Sequence, residues 1–496
     1  MIEFTALMRG LAAIVLACLL SACAGALAEG AAGSAAQPAQ AAGVFSAVKA
    51  WASSSDGQRK LAAMPDIPIR TAGASKPEDL IIDPAEQAQV ITGYGAAMTD
   101  SSAEIFQNRM TPAQRDSLFA DLFGQGGIGL SFVRVPIGAS DFSLKHYSLD
   151  DMPKGQDDPV LRHFSMQEPR RAQLPALKAA KAVNPGLTLM ASPWSAPGWM
   201  KDTDSLIKGQ LRAQHYDAFA RYFAAYLDAM EQEGLPVSYI SVQNEPAFEP
   251  ADYPGMRFTA PERARFVAEN LGPLLARRSR PVGILDWDHN WDKPEEPLAV
   301  LADSKASAFV AGVAWHCYAG NPSAMEQVRS AFPAKDVFFS ECSGGDWAPD
   351  WGGSLGWMTD NLIIAATRAG SKGTILWNLA LDEQRGPHRG GCGNCRPVVT
   401  IDSRTGAVTR NVEYYVLGHV SRFVRPGARA IASRGAPSGV THAAFRNADG
   451  SLVLLAHNAN AASASYTVRW GSKAYSVTMP AGEVMTFTWP ETAKAD

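Results

Sequence analysis

Short apolar and β-branched runs alternate with amphipathic stretches along most of this chain. The runs fall at residues 90–96, 130–137, 187–192, 237–243, 281–287, 310–316, 337–341 and 373–378. Their length and β-branched content predict strands. Between them, apolar residues recur at helical spacing over 111–123, 212–232, 261–277, 324–332 and 355–368, which predicts helices with one buried face. Strands that alternate with helices pair in parallel. Eight such units predict an α/β fold, a closed (β/α)8 TIM barrel, over residues 83–419.

After about Val420 the helical period stops. Residues 430–433, 440–446, 451–457, 465–470, 475–479 and 484–489 read as short strands, with turn signals at Asn447-Ala-Asp-Gly450 and Pro480-Ala-Gly482. This pattern predicts a side antiparallel β-sandwich over residues 420–496. It is small for a domain standing alone. Residues 44–82 are therefore predicted to join it, with strands at 45–51 and 67–69. No internal repeat is visible.

The N-terminus carries a different signal. Arg9 precedes an apolar run, 10–20, that is too short to span a bilayer as a stable anchor. Leu20-Ser21-Ala22-Cys23 follows it and resembles a bacterial lipoprotein cleavage box, so residues 1–23 are predicted to be a lipoprotein-type signal with Cys23 lipidated. A plain secretory signal is the alternative. Met8-Arg9 makes a more conventional start than Met1, because Glu3 is unwelcome in a positive segment. Residues 24–43 are almost all Ala, Gly, Ser, Gln and Pro. Such a composition buries no core and predicts a flexible linker. The expected location is outside the cytoplasm: an outer-membrane or cell-surface lipoprotein held by its lipid, otherwise a periplasmic or secreted protein.

Bulk composition narrows the function. The chain has 496 residues, 46% hydrophobic and 19% charged, enough for a barrel plus a smaller domain. A net charge of −4 without a basic block gives no footprint for nucleic acid. Twelve Trp exceed what is usual; most belong in a barrel core, and the remainder are suited to stacking on sugar rings. Past Cys18 and Cys23 lie Cys317, Cys342, Cys392 and Cys395, and export permits disulfides between them. Cys392-Gly-Asn-Cys395 lacks the second ligand pair a zinc site needs, so it is expected to be a local disulfide or loop cysteines.

Two strings carry the chemistry. Ser241-Val-Gln-Asn-Glu245-Pro246 and Phe338-Phe-Ser-Glu341-Cys342 each place a Glu at the end of a predicted strand, the fourth and the seventh. At a shared barrel mouth these carboxyl groups would face each other at the ~5–5.5 Å separation of a retaining glycosidase. One would be the nucleophile and the other a proton donor. The residues themselves leave open which is which.

An ordered set of motifs runs through nearly all of the chain past the linker: Gly93-Tyr-Gly-Ala-Ala-Met-Thr-Asp100, Arg134-Val-Pro-Ile137, Ser192-Pro-Trp-Ser-Ala-Pro197, Gln243-Asn-Glu-Pro246, His316-Cys-Tyr318, Ser340-Glu-Cys342 and Leu376-Trp-Asn-Leu-Ala-Leu381. The set resembles glycoside hydrolase family 30, which contains glucosylceramidases and microbial β-1,6-glucanases. The resemblance implies a barrel with a side β-sandwich, Glu245 as acid/base and Glu341 as nucleophile. It further implies that Asp100 grips sugar hydroxyls and that Trp194 and Trp377 wall the glucose subsite. Asn244 is implied to bond the 2-hydroxyl, and Tyr318, with His316 two residues before it, to sit by the nucleophile. Trp199, Asp286 and Asp288 are weaker candidates for the lining. Cys317 replaces an aromatic residue usual in glucosylceramidases, and the loop Gly386-Pro-His-Arg-Gly-Gly-Cys-Gly-Asn-Cys-Arg396 resembles the β-1,6-glucanase branch.

The expected activity is retaining hydrolysis of β-glucosidic bonds, in β-1,6-glucan or related β-gluco-oligosaccharides. Glucosylceramidase-type cleavage of a glycolipid is the second reading. A catalytically silent carbohydrate-binding lipoprotein is a third, against which both intact Glu residues argue. The scheme needs no metal and no organic cofactor.

Overall fold

The structure, a computed structural model, describes residues 47–492. Eight parallel strands close into a barrel: β1 (Gly93–Ala97), β2 (Phe132–Ile137), β3 (Thr188–Pro193), β4 (Tyr239–Ser241), β5 (Gly283–Asn290), β6 (Val310–His316), β7 (Asp336–Glu341) and β8 (Ser371–Asn378). Each lies within one of the expected runs or overlaps it. Strands buried on both faces read as continuous apolar runs, and β2 is buried at every position. Phe132, Met190, Leu285, Ala314, Phe338 and Ile375 fill the barrel interior. The larger core lies between strands and helices. Helix Tyr216–Gln232 contributes Phe219, Tyr222, Phe223, Tyr226 and Met230 to it, all fully buried.

The five expected stretches are helical, with two local departures, while helices Asp100–Asn108, Gln173–Val183, Glu295–Ala302 and Val412–Ser421 lie outside them. Helix Pro112–Phe123 begins at a capping box of Thr111 and Gln114 and stops before Gly124. The stretch 261–277 carries a π-turn at Val267–Leu271, just before Pro273, which has no N–H to donate into that turn. The stretch 355–368 carries another at Thr359–Ala365, where Thr374 of β8 donates to the Leu362 carbonyl at 2.7 Å. Among the described residues no helix is long and apolar enough to cross a membrane.

Eleven of the remaining strands form one sheet folded around its own core, and the others make a two-stranded and a three-stranded sheet in the segments that follow β7 and β8. Ala47–Ser53 pairs antiparallel with Val484–Pro490. Ile67–Pro68 adds to Ala47–Ser53, and Arg70–Thr71 adds to Lys473–Met479 at the other end of the strand order. Residues 67–71 thus bridge the two ends around Val48, Ile69, Tyr475 and Phe487. Residues 83–90 were expected in the barrel, but they complete an eleven-residue strand, Leu80–Val90, in this sheet. It pairs antiparallel with Arg429–Gly435 and parallel with Ala464–Trp470, so the sandwich is not wholly antiparallel. Exposed Glu86, Gln87 and Ala88 suit a one-sided sheet surface and would be unfit for a buried parallel strand.

Barrel and sandwich share a polar joint. His419, on helix Val412–Ser421, bonds Thr486 Oγ1 at 2.9 Å and Ser53 Oγ at 2.8 Å. Burial pushes its imidazole down to about 3, so it stays neutral.

Candidate active site

The mouth of the barrel is built on a buried ion pair. Asp288 sits at a register shift between β5 and β6 with φ of 49°, a left-handed conformation uncommon for a residue other than glycine. The bulge turns its carboxylate into the barrel, where it accepts from Arg134 at 2.7 Å, Ser192 at 2.9 Å, Ser241 at 2.6 Å, Ser340 at 2.6 Å and His316 at 3.0 Å. Burial alone would raise this acid. The Arg134 charge and the donors around it outweigh burial and hold it far below the ordinary carboxylate range.

Arg134 distributes the remaining donors. It bonds Glu341 Oε2 and donates to Asn244 Oδ1 at 2.6 Å. Its guanidinium carbon lies 4.8 Å from the Trp194 ring and 5.7 Å from the Trp377 ring. These two indoles stack on each other with centroids 5.1 Å apart.

Glu341 is the last residue of β7, as expected. Glu245 stands four positions beyond β4, because that strand ends at Ser241. Past Ser241 the chain bonds its neighbours in turn: Val242 N to Leu285 O, Asn244 N to Pro193 O, and Glu245 N to Asp288 O at 3.0 Å. Glu245 also takes a positive φ, 48°. Oxygens of Glu245 and Glu341 and a ring nitrogen of His316 all lie within 4.8 Å of one another.

His316 bridges the buried pair and the two acids. Its Nδ1 meets Glu245 Oε1 at 3.0 Å and its Nε2 meets Asp288 Oδ1 at 3.0 Å. Burial opposes its charge, but Glu341, Asp288 and Glu245 together push the imidazole up to about 9. Burial raises Glu341; His316 and Arg134 counter it only in part, and the charge of Glu245 adds to it. Burial acts on Glu245 in the same direction, yet the hydrogen bond from His316 and the surrounding positive charge bring it below the ordinary value. Tyr318 donates its hydroxyl to Glu341 Oε1 at 3.0 Å. The three-residue group has ligand-type atoms at a spacing that suits a metal ion, but its His316 nitrogen already bonds Glu245. The arrangement is that of a proton-sharing network.

Asn244, Glu245, His316, Tyr318 and Glu341 therefore meet at one place, joined to Trp194 and Trp377 through Arg134. Asp100 does not join them. Thr99 caps helix Asp100–Asn108, and Asp100, its first residue, turns away to accept from Ser143 at 2.7 Å and Tyr147 at 3.0 Å. Asp286 pairs with Arg263, and Trp199 bonds Asp150. Cys23 lies outside the described residues.

Three residues of the site were missed in the sequence. Arg134 belongs to the Arg134-Val-Pro-Ile137 motif, and a charged residue inside an apolar strand is itself a signal. Asp141, in the loop after β2, is buried beside the pair. Burial, then the charges of Glu341 and Glu245, push it up to about 8. Tyr253 packs against the Trp194–Trp377 cluster. The loop 386–396 closes over Asp141: Arg389 N donates to the Asp141 carbonyl at 2.8 Å, and a Cβ on Gly391, with φ of 67°, would fall 2.4 Å from Asp141 Cβ. Two disulfides frame the mouth. Cys392–Cys395 lies within that loop. Cys317–Cys342 joins the residue after His316 to the residue after Glu341.

Comparison with known proteins agrees with this architecture. The family model "Glycosyl hydrolase family 30 TIM-barrel domain" matches residues 91–424, and "Glycosyl hydrolase family 30 beta sandwich domain" matches residues 427–487. An endo-1,6-β-D-glucanase of Neurospora crassa is 33% identical over 83% of this chain and 88% of its own length. The lysosomal acid glucosylceramidase of Mus musculus is 29% identical over 83% of each chain. A solved endo-β1,6-glucanase superposes with a TM-score of 0.82 at 32% identity, covering 90% of this chain and 99% of its own. The chain belongs to glycosyl hydrolase family 30 and is a glycoside hydrolase.

Proposed function

We propose that this member of glycosyl hydrolase family 30 is a retaining β-glycosidase acting on β-1,6-linked glucan and short β-gluco-oligosaccharides. The observation that carries the reading is the carboxylate pair, with oxygens of Glu245 and Glu341 within 4.8 Å. That is near the ~5–5.5 Å of retaining enzymes and short of the ~6.5–9.5 Å that inversion requires. The named relatives support the linkage.

Glu341 is raised and Glu245 lowered, the reverse of the order the reaction uses. The roles assigned here follow the donors instead. Arg134 and Tyr318 both donate to Glu341, which favours its carboxylate and makes it the nucleophile. Glu245 faces the Nδ1–H of His316, so the two share one proton that Glu245 can present. Glu341 bonds the anomeric carbon as the bond to the leaving oxygen breaks, and the shared proton passes through Glu245 to that oxygen. Glu245 then takes a proton from water, which displaces Glu341 and frees the sugar. Trp194 and Trp377 wall the bound glucose, and Asp141 accepts its hydroxyls. The Asn244 amide, its oxygen held by Arg134, turns its N–H toward the 2-hydroxyl.

NMR of the first-formed anomer tests the scheme, and an inverted product would reject it. Product profiles on β-1,6-glucan, gentiobiose and glucosylceramide test the substrate. The mouse relative supports glycolipid cleavage as the second reading. Export with a lipid on Cys23 is also part of the proposal, supported by the N-terminal pattern and by two disulfides. Cys23→Ser should abolish labelling by a fatty acid and release the protein from membranes; retained labelling would reject it.

A further inference from the structure

Among the described residues, eight large hydrophobic side chains are exposed, and four of them are aromatic: Phe248, Tyr318, Trp347 and Trp357. All four follow β4, β6 or β7, the strands that lead to Glu245, His316 and Glu341. Chance scatter of surface aromatics would not confine them to one side of one barrel mouth.

Three of them share a recess. Tyr318, Trp347 and Trp357, exposed by 43%, 55% and 47%, line a hollow of about 470 Å³ together with the Cys317–Cys342 disulfide and Gly344. That volume lies in the ~300–1,000 Å³ range of small-ligand clefts. The recess adjoins the reacting pair, because Tyr318 lines it and donates its hydroxyl to Glu341 at 3.0 Å. Along the mouth the contacts run from Trp194 and Trp377 through Arg134 and Glu341 to Tyr318, which lines the recess that Trp347 also lines. The first aromatic pair is buried, as a wall for one enclosed sugar should be. The second group is open, as needed where a chain leaves the site.

Trp347 is held in place. A Cβ on Gly345 would fall 2.0 Å from the Trp347 ring, so the indole lies directly on the glycine backbone. Gly344 and Gly345 pair with Arg396 and Cys395 of the loop 386–396, and Asp346 bridges to Arg385 at 2.8 Å. Anchoring of this kind lets an exposed aromatic ring act as a rigid platform.

We propose that Trp347, with Trp357 and Tyr318, forms the subsite for the first glucosyl residue on the leaving-group side, stacking on its apolar face. This rests on the cleavage reaction proposed above. The test compares three substrates: β-glucosyl fluoride, whose leaving group enters no subsite, a β-1,6-linked glucotetraose, and glucosylceramide. For Trp347→Ala and Trp357→Ala, kcat/KM on the tetraose should fall roughly three- to ten-fold, the scale of a lost stacking contact. The fluoride rate should stay within about two-fold, because only the leaving-group side is altered. The cleavage positions on the tetraose should shift, and Trp347→Phe should restore much of the rate. Gly345→Ala, which displaces the indole without touching sugar, should reproduce the selective loss.

Equal losses on the fluoride and the tetraose would overturn the proposal, as would no loss on either. A loss confined to glucosylceramide would also overturn it and assign the recess to an acyl chain. Inactivity of the unmodified enzyme on the tetraose is a separate result. It would remove the cleavage reading itself, and the subsite with it.

Discussion

His316→Gln separates the proton-sharing account from a merely structural one. In the native protein the imidazole, raised from its ordinary 6.5 to about 9, keeps the proton it shares with Glu245. The alkaline limb of kcat/KM is therefore expected near pH 9. Without His316 the limb reports Glu245 alone, a buried carboxyl that has lost its principal donor. With the His316 hydrogen bond and charge removed, burial is the main influence left on Glu245 and should move its carboxyl upward from its native position, though not as far as the imidazole it replaces in the profile. The alkaline limb should therefore move well below about 9, and the loss in kcat/KM should be small at about pH 5 and grow with pH toward the roughly 10²–10⁴-fold scale of a missing general acid. Stability moves with pH as well. Because the folded value lies above the ordinary one, the stabilisation is complete below about pH 6.5 and disappears as pH rises through about 9. For this fully buried group it is on the order of 3 kcal/mol. Thermal melts of the native and variant proteins should therefore differ more at about pH 6 than at about pH 9.5. A pH-rate profile merely scaled down at every pH would refute the shared proton, and so would an alkaline limb still near 9.

Azide should restore turnover of an activated glucoside by Glu245→Ala, because a small anion can replace the missing base; rescue of Glu341→Gln to the same product anomer would exchange the assignments. Asp141→Asn should cost roughly 2- to 10-fold in kcat/KM at neutral pH, the scale of one hydrogen bond to a neutral group, because burial keeps the Asp141 carboxyl mostly protonated there. That cost should shrink for deoxyglucosides lacking the hydroxyl it receives; an undiminished cost across the deoxy series would place Asp141 outside the sugar's reach. Replacing Cys317 and Cys342 together by Ala should cost ~3 kcal/mol, from opening a bridge across 25 positions. Unchanged chemical denaturation would reject that contribution.

The barrel was legible because strands buried on both faces leave continuous apolar runs, as in β2, β6 and β8. Leu80–Val90 was not. Pro84 and the exposed Glu86 to Ala88 break its pattern, and only its partners in the far C-terminal sequence make it a strand. Glu341 could be placed because it ends a regular strand. Glu245 sits on irregular backbone whose hydrogen bonds alternate between β3 and β5, so its offset of four positions was hidden. Asp100 was misplaced for a local reason: a capped helix starts there and carries its side chain away from the mouth. Asp288 faces inward only through a bulge, and Asp141 is buried only because a distant glycine-rich loop lies on it. Such features arise from contacts between segments far apart in sequence, where local pattern says nothing.

The pairing of Ala47–Ser53 with Val484–Pro490 has a consequence for how the molecule is made. A ribosome or a translocation channel releases the first strand long before the last. Until Val484–Pro490 emerges, Ala47–Ser53 lacks its main antiparallel neighbour, and His419 lacks the Thr486 hydroxyl that it meets at the joint. The barrel segment can fold in the interval, but the sheet cannot close. The two ends act as a clasp fastened in the last step of synthesis. A truncated chain would therefore carry a finished catalytic mouth on a body with an open sheet edge, a form readily recognised and degraded by quality-control proteases.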